Sequence, residues 1–196
     1  MMSTLYLKGL KQGDVQMTAV GLVNAGLFFF LSLAKPLIKL APFKPPCSVF
    51  ATSVMVSVCG QFFAHFGSLF ATLRLCESFL KPSGRSNNIV DGKFQPNLIN
   101  SAIFLLSAAM QVNNFVINYR GPPFTQDLKE NVYLWRSVLV IYVLLLVVIG
   151  GQFEPLNDFL QLAPFPSSIF QAQLLGILVL NFLVCYFAEK ISLLIF

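Results

Sequence analysis

The stretch LWRSVLVIYVLLLVVIGG at residues 134–151 decides the fold of this chain. Between Val138 and Ile149 its side chains carry hardly a polar atom. A helix needs about 20 mostly apolar residues to cross the hydrocarbon core of a bilayer. The stretch therefore predicts a transmembrane helix.

Four further segments have the same character. Proline or charge stands at their boundaries, as in Lys35-Pro36 after the first and Glu189-Lys190 after the last. A helix must end, or its flank must reach water, at such positions. The sequence thus predicts an all-α fold, a polytopic membrane helix bundle of about five transmembrane helices in one membrane domain. The other four predicted spans are 15–34, 48–73, 98–117 and 169–188.

The composition leads to the same class of protein. Hydrophobic residues make up 56% of the 196 residues and charged residues only 11%, whereas a soluble domain carries about 25% charged residues. So few charges do not cover a surface in water, so we expect the lipid bilayer to be the main partner. The net charge of +5 comes from cations grouped between the apolar runs. Such cations flank membrane spans beside anionic headgroups, and nucleic acid is not expected as a partner.

The chain shows no pattern typical of catalysis or metal binding. It has no glycine-rich phosphate loop, no nucleophile beside a base and no carboxylate pair in a cleft, so we expect no catalytic residue in it. Its four cysteines are far apart and form no CxxC pair, which favours small buried apolar residues over a metal site. No Asp or Glu lies at the centre of a predicted span, which argues against a cation pathway with carboxylate ligands.

The third predicted span carries a polar stripe. At about 100° per residue, its five polar side chains fall within roughly 60° of one another. One interpretation is interhelical hydrogen bonding, worth about 0.6 kcal/mol per bond. The alternative is one wall of a polar transport path. The stripe residues are Asn100, Ser107, Gln111, Asn114 and Asn118.

Two other spans contain notable polar groups. Asn24 lies close to Gly21 and Gly26 in the first span, and such small residues permit close helix approach or the local unwinding found at binding sites in transporters. Gln61 and His65 share one face of the second span. We interpret His65 as a structural histidine bonded to a neighbouring helix, with a proton relay as the alternative.

The strings FQPNLINS at 94–101, NYRGPPF at 118–124 and LKEN at 128–131 resemble the C-terminal membrane region of type V-A P-type ATPases. These are endoplasmic-reticulum pumps regarded as transmembrane-helix dislocases. Four more strings follow the family order, so the resemblance covers nearly the whole chain. They are LYLKG at 5–9, SLAKPL at 32–37, QFFAHF at 61–66 and LAPFP at 162–166.

The resemblance implies that the five spans are the sixth to tenth membrane helices of such a pump in the endoplasmic-reticulum membrane. Residues 1–14 would then be the end of a preceding helix and a lumenal turn, and we expect the chain to be the back end of a longer protein. Residues 74–97 would be a lumenal loop and 118–133 a cytosolic loop. Charge alone, with seven cations against six, hardly decides the orientation.

The resemblance also implies partners and a site. The family's substrates are mistargeted or misinserted hydrophobic helices, and its ATP and Mg²⁺ bind to membrane-external domains absent from this chain, which itself would bind no cofactor. The first span would line the substrate cavity, with Asn24, Gly21 and Thr18 as candidate residues, and the other spans would support it. One departure is Ser167-Ser168, where relatives tend to have acidic residues.

Two alternatives stay open at this point. Met1-Met2 allows independent initiation, so the chain could be a standalone small polytopic membrane scaffold without ATPase activity. An unrelated channel or carrier with five spans would require the matching strings to be coincidental.

Overall fold

The computed structural model describes Leu5 and residues 10–39, 48–80 and 94–195. In this part of the chain the regular structure is helical, and the only bridge between extended segments there joins Pro36 to Thr125. The predicted all-α class is confirmed. Most of segment 1–14 and of the loop 74–97 lies outside the described residues. The helices are α1 (Asp14–Ser32), α2 (Thr52–Phe79), α3 (Leu98–Asn118), α4 (Val132–Gly150), α5 (Glu154–Phe159) and α6 (Ser168–Ile195).

Five of these helices are long and apolar enough to cross a membrane, which agrees with the predicted number. The helices α1, α3 and α4 have 19 to 21 residues, and α2 and α6 have 28 each. At 1.5 Å per residue, the three shorter helices are about 30 Å long, the thickness of the hydrocarbon core, and α2 and α6 are about 42 Å long.

Two helices extend beyond the predicted spans. α2 continues through Arg74 because the guanidinium lies over the Phe70 ring, 5.0 Å from its centroid, and pairs with Glu77 at 3.7 Å. A charge placed in this way stays at the helix surface without ending the helix. α6 continues past Glu189 to Ile195, because that carboxylate is buried against Ser57 of α2 and Arg120 of the turn after α3. The short α5 was not predicted, since six residues are too few for a periodic pattern.

Polar side chains begin three of the helices. The Asn97 side chain accepts a hydrogen bond from Ile99 N at 2.8 Å and begins α3. Asn131 accepts one from Leu134 N at 3.3 Å and begins α4. The Ser167 hydroxyl accepts one from Phe170 N at 3.2 Å before α6. Such caps satisfy amide groups that have no partner within the helix.

α3 is the central helix of the bundle, in contact with α1, α2, α4 and α6. In its most apolar 18-residue window 67% of the residues are buried, against 11% for α1. The polar residues of α3 must therefore find their partners inside the bundle, whereas much of α1 lies open.

The most extensive helix contact joins the antiparallel pair α2 and α6. At one end, the Ser192 hydroxyl donates to Ser53 O at 2.6 Å. Toward the other end, the rings of Phe79 and Phe170 meet edge to face at 5.4 Å. Between them the helices approach so closely that a Cβ on Gly60 would lie 2.8 Å from the Ala188 Cβ.

We expect the substitution Gly60→Val to lower the free energy of unfolding by about 2 kcal/mol, because the added atoms push α2 and α6 apart. The measurement is an SDS titration in mixed micelles, followed by helical circular dichroism. Gly67→Val on the same helix is the control, since a Cβ there meets nothing within 4 Å. Equal effects of the two substitutions would contradict the close approach.

Candidate functional site: polar layers within the helix bundle

Three hydrogen-bonded anchors hold α1 against the bundle. The buried Gln16 accepts from Asn100 Nδ2 at 2.8 Å and donates to Leu160 O at 3.2 Å. Near the middle of α1, Asn24 Nδ2 donates to Gln111 Oε1. At the end of α1, Asn131 Nδ2 donates to Phe30 O at 3.0 Å. These contacts, termed the α1 anchors below, fix α1 to α3 and α4 along its length.

The candidate cavity residues lie on two sides of α1. Thr18 and Gly21 are exposed, and the Thr18 hydroxyl donates to Asp14 O of its own helix at 2.9 Å. Asn24 instead turns its side chain toward Gln111, and its buried Oδ1 has no hydrogen-bond partner. The assignment of the three residues to a substrate cavity stays a prediction. The structure separates Asn24 from the other two.

The exposed side of α1 forms a continuous surface, termed the open face below. On the open face Leu22 is 74% exposed, and Phe28 and Phe29 continue this face farther along the helix. Small residues alternate with these large apolar ones. The open face consists of Thr18, Gly21, Leu22, Ala25, Phe28 and Phe29.

The polar stripe of α3 lies along the seam between α1 and α2. Asn100 and Gln111 bond to α1 through the anchors. Asn114 Oδ1 lies 2.9 Å from His65 Nε2 of α2. The Ser107 hydroxyl donates to Ile103 O of the same helix at 2.6 Å. Asn100, Gln111 and Asn114 thus supply hydrogen bonds between helices, and so does Asn118, which is described with Gln61 below.

A buried group, termed the Asn181 cluster, joins α2, α3, α4 and α6. Asn181 is 2% exposed, and its Nδ2 lies 2.9 Å from Ser68 Oγ and 3.3 Å from Ala64 O. Its Oδ1 accepts from Asn113 Nδ2 at 3.2 Å, and Tyr142 OH donates to Asn113 Oδ1 at 2.8 Å. Polar groups in an apolar medium are costly unless paired, and here each amide pairs across helices.

His65 completes the Asn181 cluster and has a partner on both ring nitrogens. Asn114 Oδ1 has no proton to give, so the His65 Nε2–H donates to it at 2.9 Å. The Nδ1 then accepts from Asn181 Nδ2 at 3.1 Å. The imidazole therefore bonds to α3 and α6, as the interpretation of a structural histidine requires.

A second group, termed the Glu189 cluster, lies nearer the end of α3. Glu189 is 6% exposed, its Oε1 lies 2.5 Å from Arg120 Nη2, and its Oε2 accepts from Ser57. Gln61 and Asn118 exchange a pair of amide hydrogen bonds at 2.8 and 2.9 Å. A charge-assisted pair with additional hydrogen bonds is the form in which a buried carboxylate is tolerated.

Sequence reasoning missed several members of these clusters. Asn113 lies about 130° around α3 from the stripe, so the stripe did not predict it. Glu189 follows the last predicted span, and a charge at that position predicts the end of the span. The four-residue spacing of Ser53, Ser57 and Gln61 predicts a polar face on α2. That face needs a polar partner on another helix, and this signal could have pointed to Glu189.

The turn after α3 clasps the segment after α1. Leu37 N donates to Phe124 O and Gln126 N to Lys35 O, both at 3.0 Å. Tyr119 OH donates to Gln126 O at 2.8 Å. Residues 35–37 and 124–126, termed the clasp below, thus join the ends of α1 and α3. Much of the string NYRGPPF falls within this turn.

The α1 anchors, the Asn181 cluster and the Glu189 cluster are together termed the polar layers. Their interactions are hydrogen bonds and one ion pair. Among the described residues, no three side chains of His, Cys, Asp or Glu lie together so that they could hold a metal ion. The polar layers fix the rotation of α1, α2, α4 and α6, and their positions along the bundle axis, relative to α3.

The fold and its buried polar layers define a polytopic α-helical membrane protein. No family model matches the chain. It is 35% identical over 193 residues to the endoplasmic reticulum transmembrane helix translocase of Schizosaccharomyces pombe, with 97% of this chain and 15% of that protein covered. It is 34% identical over 190 residues to the probable manganese-transporting ATPase PDR2 of Arabidopsis thaliana, with 97% of this chain and 16% of that protein covered. It is 30% identical to the endoplasmic reticulum transmembrane helix translocase spfA of Aspergillus fumigatus, with 97% of this chain and 14% of that protein covered.

The chain belongs to the endoplasmic reticulum transmembrane helix translocases, the type V-A P-type ATPases, as the resemblance predicted. It is a multi-pass protein of the endoplasmic-reticulum membrane. The chain spans about 15% of the length of the relatives that it matches, and it corresponds to a membrane-embedded part of them.

Proposed function

We propose that this chain forms one wall and the support of the membrane cavity in an ATP-driven translocase. That translocase removes mistargeted or misinserted transmembrane helices from the endoplasmic-reticulum membrane. The observation that carries the proposal is the division of α1 into an anchored side and the open face. The activity in the proposal is that of the relatives, which are transmembrane helix translocases of the endoplasmic reticulum.

The anchored side gives α1 a defined position. Anchors at Gln16, Asn24 and Phe30 occur at intervals of about two turns. A helix fixed in this way presents its open face at a constant angle. Gly21 and Ala25 leave room for a second helix to approach, and Phe28 adds apolar contact. Small residues beside apolar ones suit the packing of a hydrophobic helix in lipid.

The other four spans supply the support. The Asn181 cluster joins α2, α3, α4 and α6, and the Glu189 cluster joins α2, α3 and α6. Movement driven by ATP would then displace other helices against this fixed block. In this proposal ATP and Mg²⁺ bind to domains outside the chain. The Arg120 end of the bundle, which includes Lys129 and Lys190, faces the cytosol in this proposal, because the resemblance to these ATPases implies that orientation and the near-even charge count does not supply it.

The test uses a chimaera in which this chain replaces the matching segment of the Schizosaccharomyces pombe translocase. A photo-crosslinking residue at Gly21 is expected to capture a mistargeted hydrophobic helix, because Gly21 lies on the open face. The same residue at Val184, 43% exposed on α6, is the control and is expected to capture lipid. The yield at Gly21 should change when ATP is added.

Two results would overturn the assignment. One is equal capture at Gly21 and Val184. The other is no capture at Gly21 by a chimaera that still removes the helix.

The alternative of a standalone scaffold is not favoured, because the chain matches these translocases over 97% of its length.

A further inference from the structure

An apolar groove runs along the outside of the bundle between α4 and α6, with α3 as its floor. Its volume is about 400 Å³. The floor comes from Ala109 and Val116, and Asn113 lies there with its amide already bonded to Tyr142. The walls come from Leu139, Leu145 and Leu146 of α4 and from Leu175, Val179 and Phe182 of α6.

Toward the Arg120 end, a second cavity of about 700 Å³ lies next to the groove. The two cavities are adjacent, because Val116 and Phe182 line both of them. The second cavity differs in chemistry, since charged and aromatic side chains line it. They are Arg120, Phe124, Asp127, Tyr186, Glu189 and Lys190.

We propose that the two cavities form one site for a glycerophospholipid with a zwitterionic headgroup. An acyl chain lies in the groove and the headgroup in the charged cavity. This arrangement matches the bilayer, because the groove runs along the apolar middle of α4 and α6 and the charges lie at the helix ends. The proposal does not depend on the translocase function.

The charges of the second cavity favour a zwitterion. The two cations Arg120 and Lys190 are balanced by the two carboxylates Asp127 and Glu189, so the formal charges cancel. Since Glu189 is buried in its pair with Arg120, a headgroup with an additional negative charge would meet the exposed carboxylate of Asp127. A phosphate paired with an ammonium group meets a partner for each of its charges.

Each part of the headgroup has a partner. The Arg120 side chain is 43% exposed although it pairs with Glu189, and a guanidinium has five N–H donors, so donors remain for a phosphate. The Lys190 ammonium lies 5.5 Å from the centroid of the Tyr186 ring and is exposed. Asp127 is also exposed and offers its carboxylate to the lipid ammonium, and the ring of Phe124 offers a face for cation–π contact.

The groove fits an acyl chain better than a helix from another protein. α4 and α6 contact each other as well as α3. A helix with its side chains is about 10 Å wide, so it would lie across the mouth of a groove between two touching helices. A single hydrocarbon chain reaches the floor at Ala109 and Val116.

The first experiment measures lipid retention by native mass spectrometry of the full chain in mild detergent. The chain is offered equal amounts of phosphatidylethanolamine, phosphatidylcholine and phosphatidylserine. We expect one zwitterionic phospholipid to stay bound per chain. Lys190→Gln should weaken retention about fivefold, the effect of one interfacial cation. Lys129→Gln, an exposed cation at the same end outside the cavity, should leave retention unchanged.

The second experiment fills the groove. Val179→Trp is expected to reduce lipid retention at least tenfold, because the indole takes the place of the acyl chain. Val184→Trp is the matched control on the same helix, exposed but outside the groove. Circular dichroism verifies that both variants keep their helices.

Three results would overturn the proposal. The first is preferential retention of phosphatidylserine, and the second is equal retention by Val179→Trp and Val184→Trp. The third is capture of a protein instead of a lipid by a photo-crosslinking residue at Val179, which would assign the groove to a partner helix.

Discussion

The substitution Asn181→Leu is expected to lower the free energy of unfolding of the bundle by about 3 kcal/mol. The Asn181 amide lies within hydrogen-bonding distance of Ser68, Ala64 O and His65, and it accepts from Asn113. Interhelical hydrogen bonds in membranes contribute about 0.6 kcal/mol each on average. Leucine removes all of these contacts together. It leaves Asn113 Nδ2 without its partner and His65 Nδ1 with only the Cys185 thiol, 3.9 Å away, which adds to the cost.

The measurement for Asn181→Leu is the SDS concentration at half unfolding in mixed micelles, followed by circular dichroism. Asn157→Leu on α5 is the control, because the side chain of Asn157 makes a single long hydrogen bond of 3.5 Å, to Val148 O. We expect the control to change stability by less than about 1 kcal/mol. A double-mutant cycle with Asn113→Leu should show non-additive effects, since the two amides are in direct contact. Equal losses for Asn181→Leu and Asn157→Leu would contradict the central role of the cluster.

The substitution Gly121→Ala is expected to open the clasp between the ends of α1 and α3, at a cost of about 3 kcal/mol. A Cβ on Gly121 would lie 2.0 Å from Gln126 O and 3.0 Å from Thr125 O. Both are backbone atoms, so the turn must move as a whole. The movement breaks the hydrogen bonds from Leu37 N and Gln126 N across the clasp.

Hydrogen exchange is the measurement that locates the effect of Gly121→Ala. The amides of Leu37 and Gln126 should lose protection, while amides of α6 near Asn181 keep theirs. Gly26→Ala is the control, because a Cβ at Gly26 meets nothing within 4 Å. Alanine is also favoured over glycine in a helix, by about 1 kcal/mol. Unchanged protection at Leu37 would show that the turn accommodates the methyl group.

The two predictions separate two tasks of the polar residues. The Asn181 cluster holds α2, α3, α4 and α6 together. The clasp holds the end of α1 to the end of α3. In the proposed translocase, loss of the first would disturb the support, and loss of the second would release the helix that carries the open face.

Local features of the sequence determined the membrane class and the five spans. Span formation depends on the transfer of about 20 consecutive side chains into lipid, and the backbone hydrogen bonds are satisfied within each helix. Neither the transfer into lipid nor the hydrogen bonding within a helix depends on residues that are distant in the sequence. The same holds for the α3 stripe, since the rotation per residue places Asn100 and Asn114 on one side of a single helix. The strings shared with the translocases, such as NYRGPPF at 118–124, pointed to the family in the same way.

The tertiary structure alone decided which polar groups meet. Arg120 pairs with Glu189, 69 residues away, and Asn113 with Asn181, 68 residues away. Such pairs depend on the rotation and depth of one helix against another, and these are set by packing of side chains from distant segments. The division of α1 arose likewise: Asn24 faces Gln111 while Gly21 stays open. Hydropathy does not distinguish these two sides, because both are mainly apolar and only the neighbouring helices cover one of them.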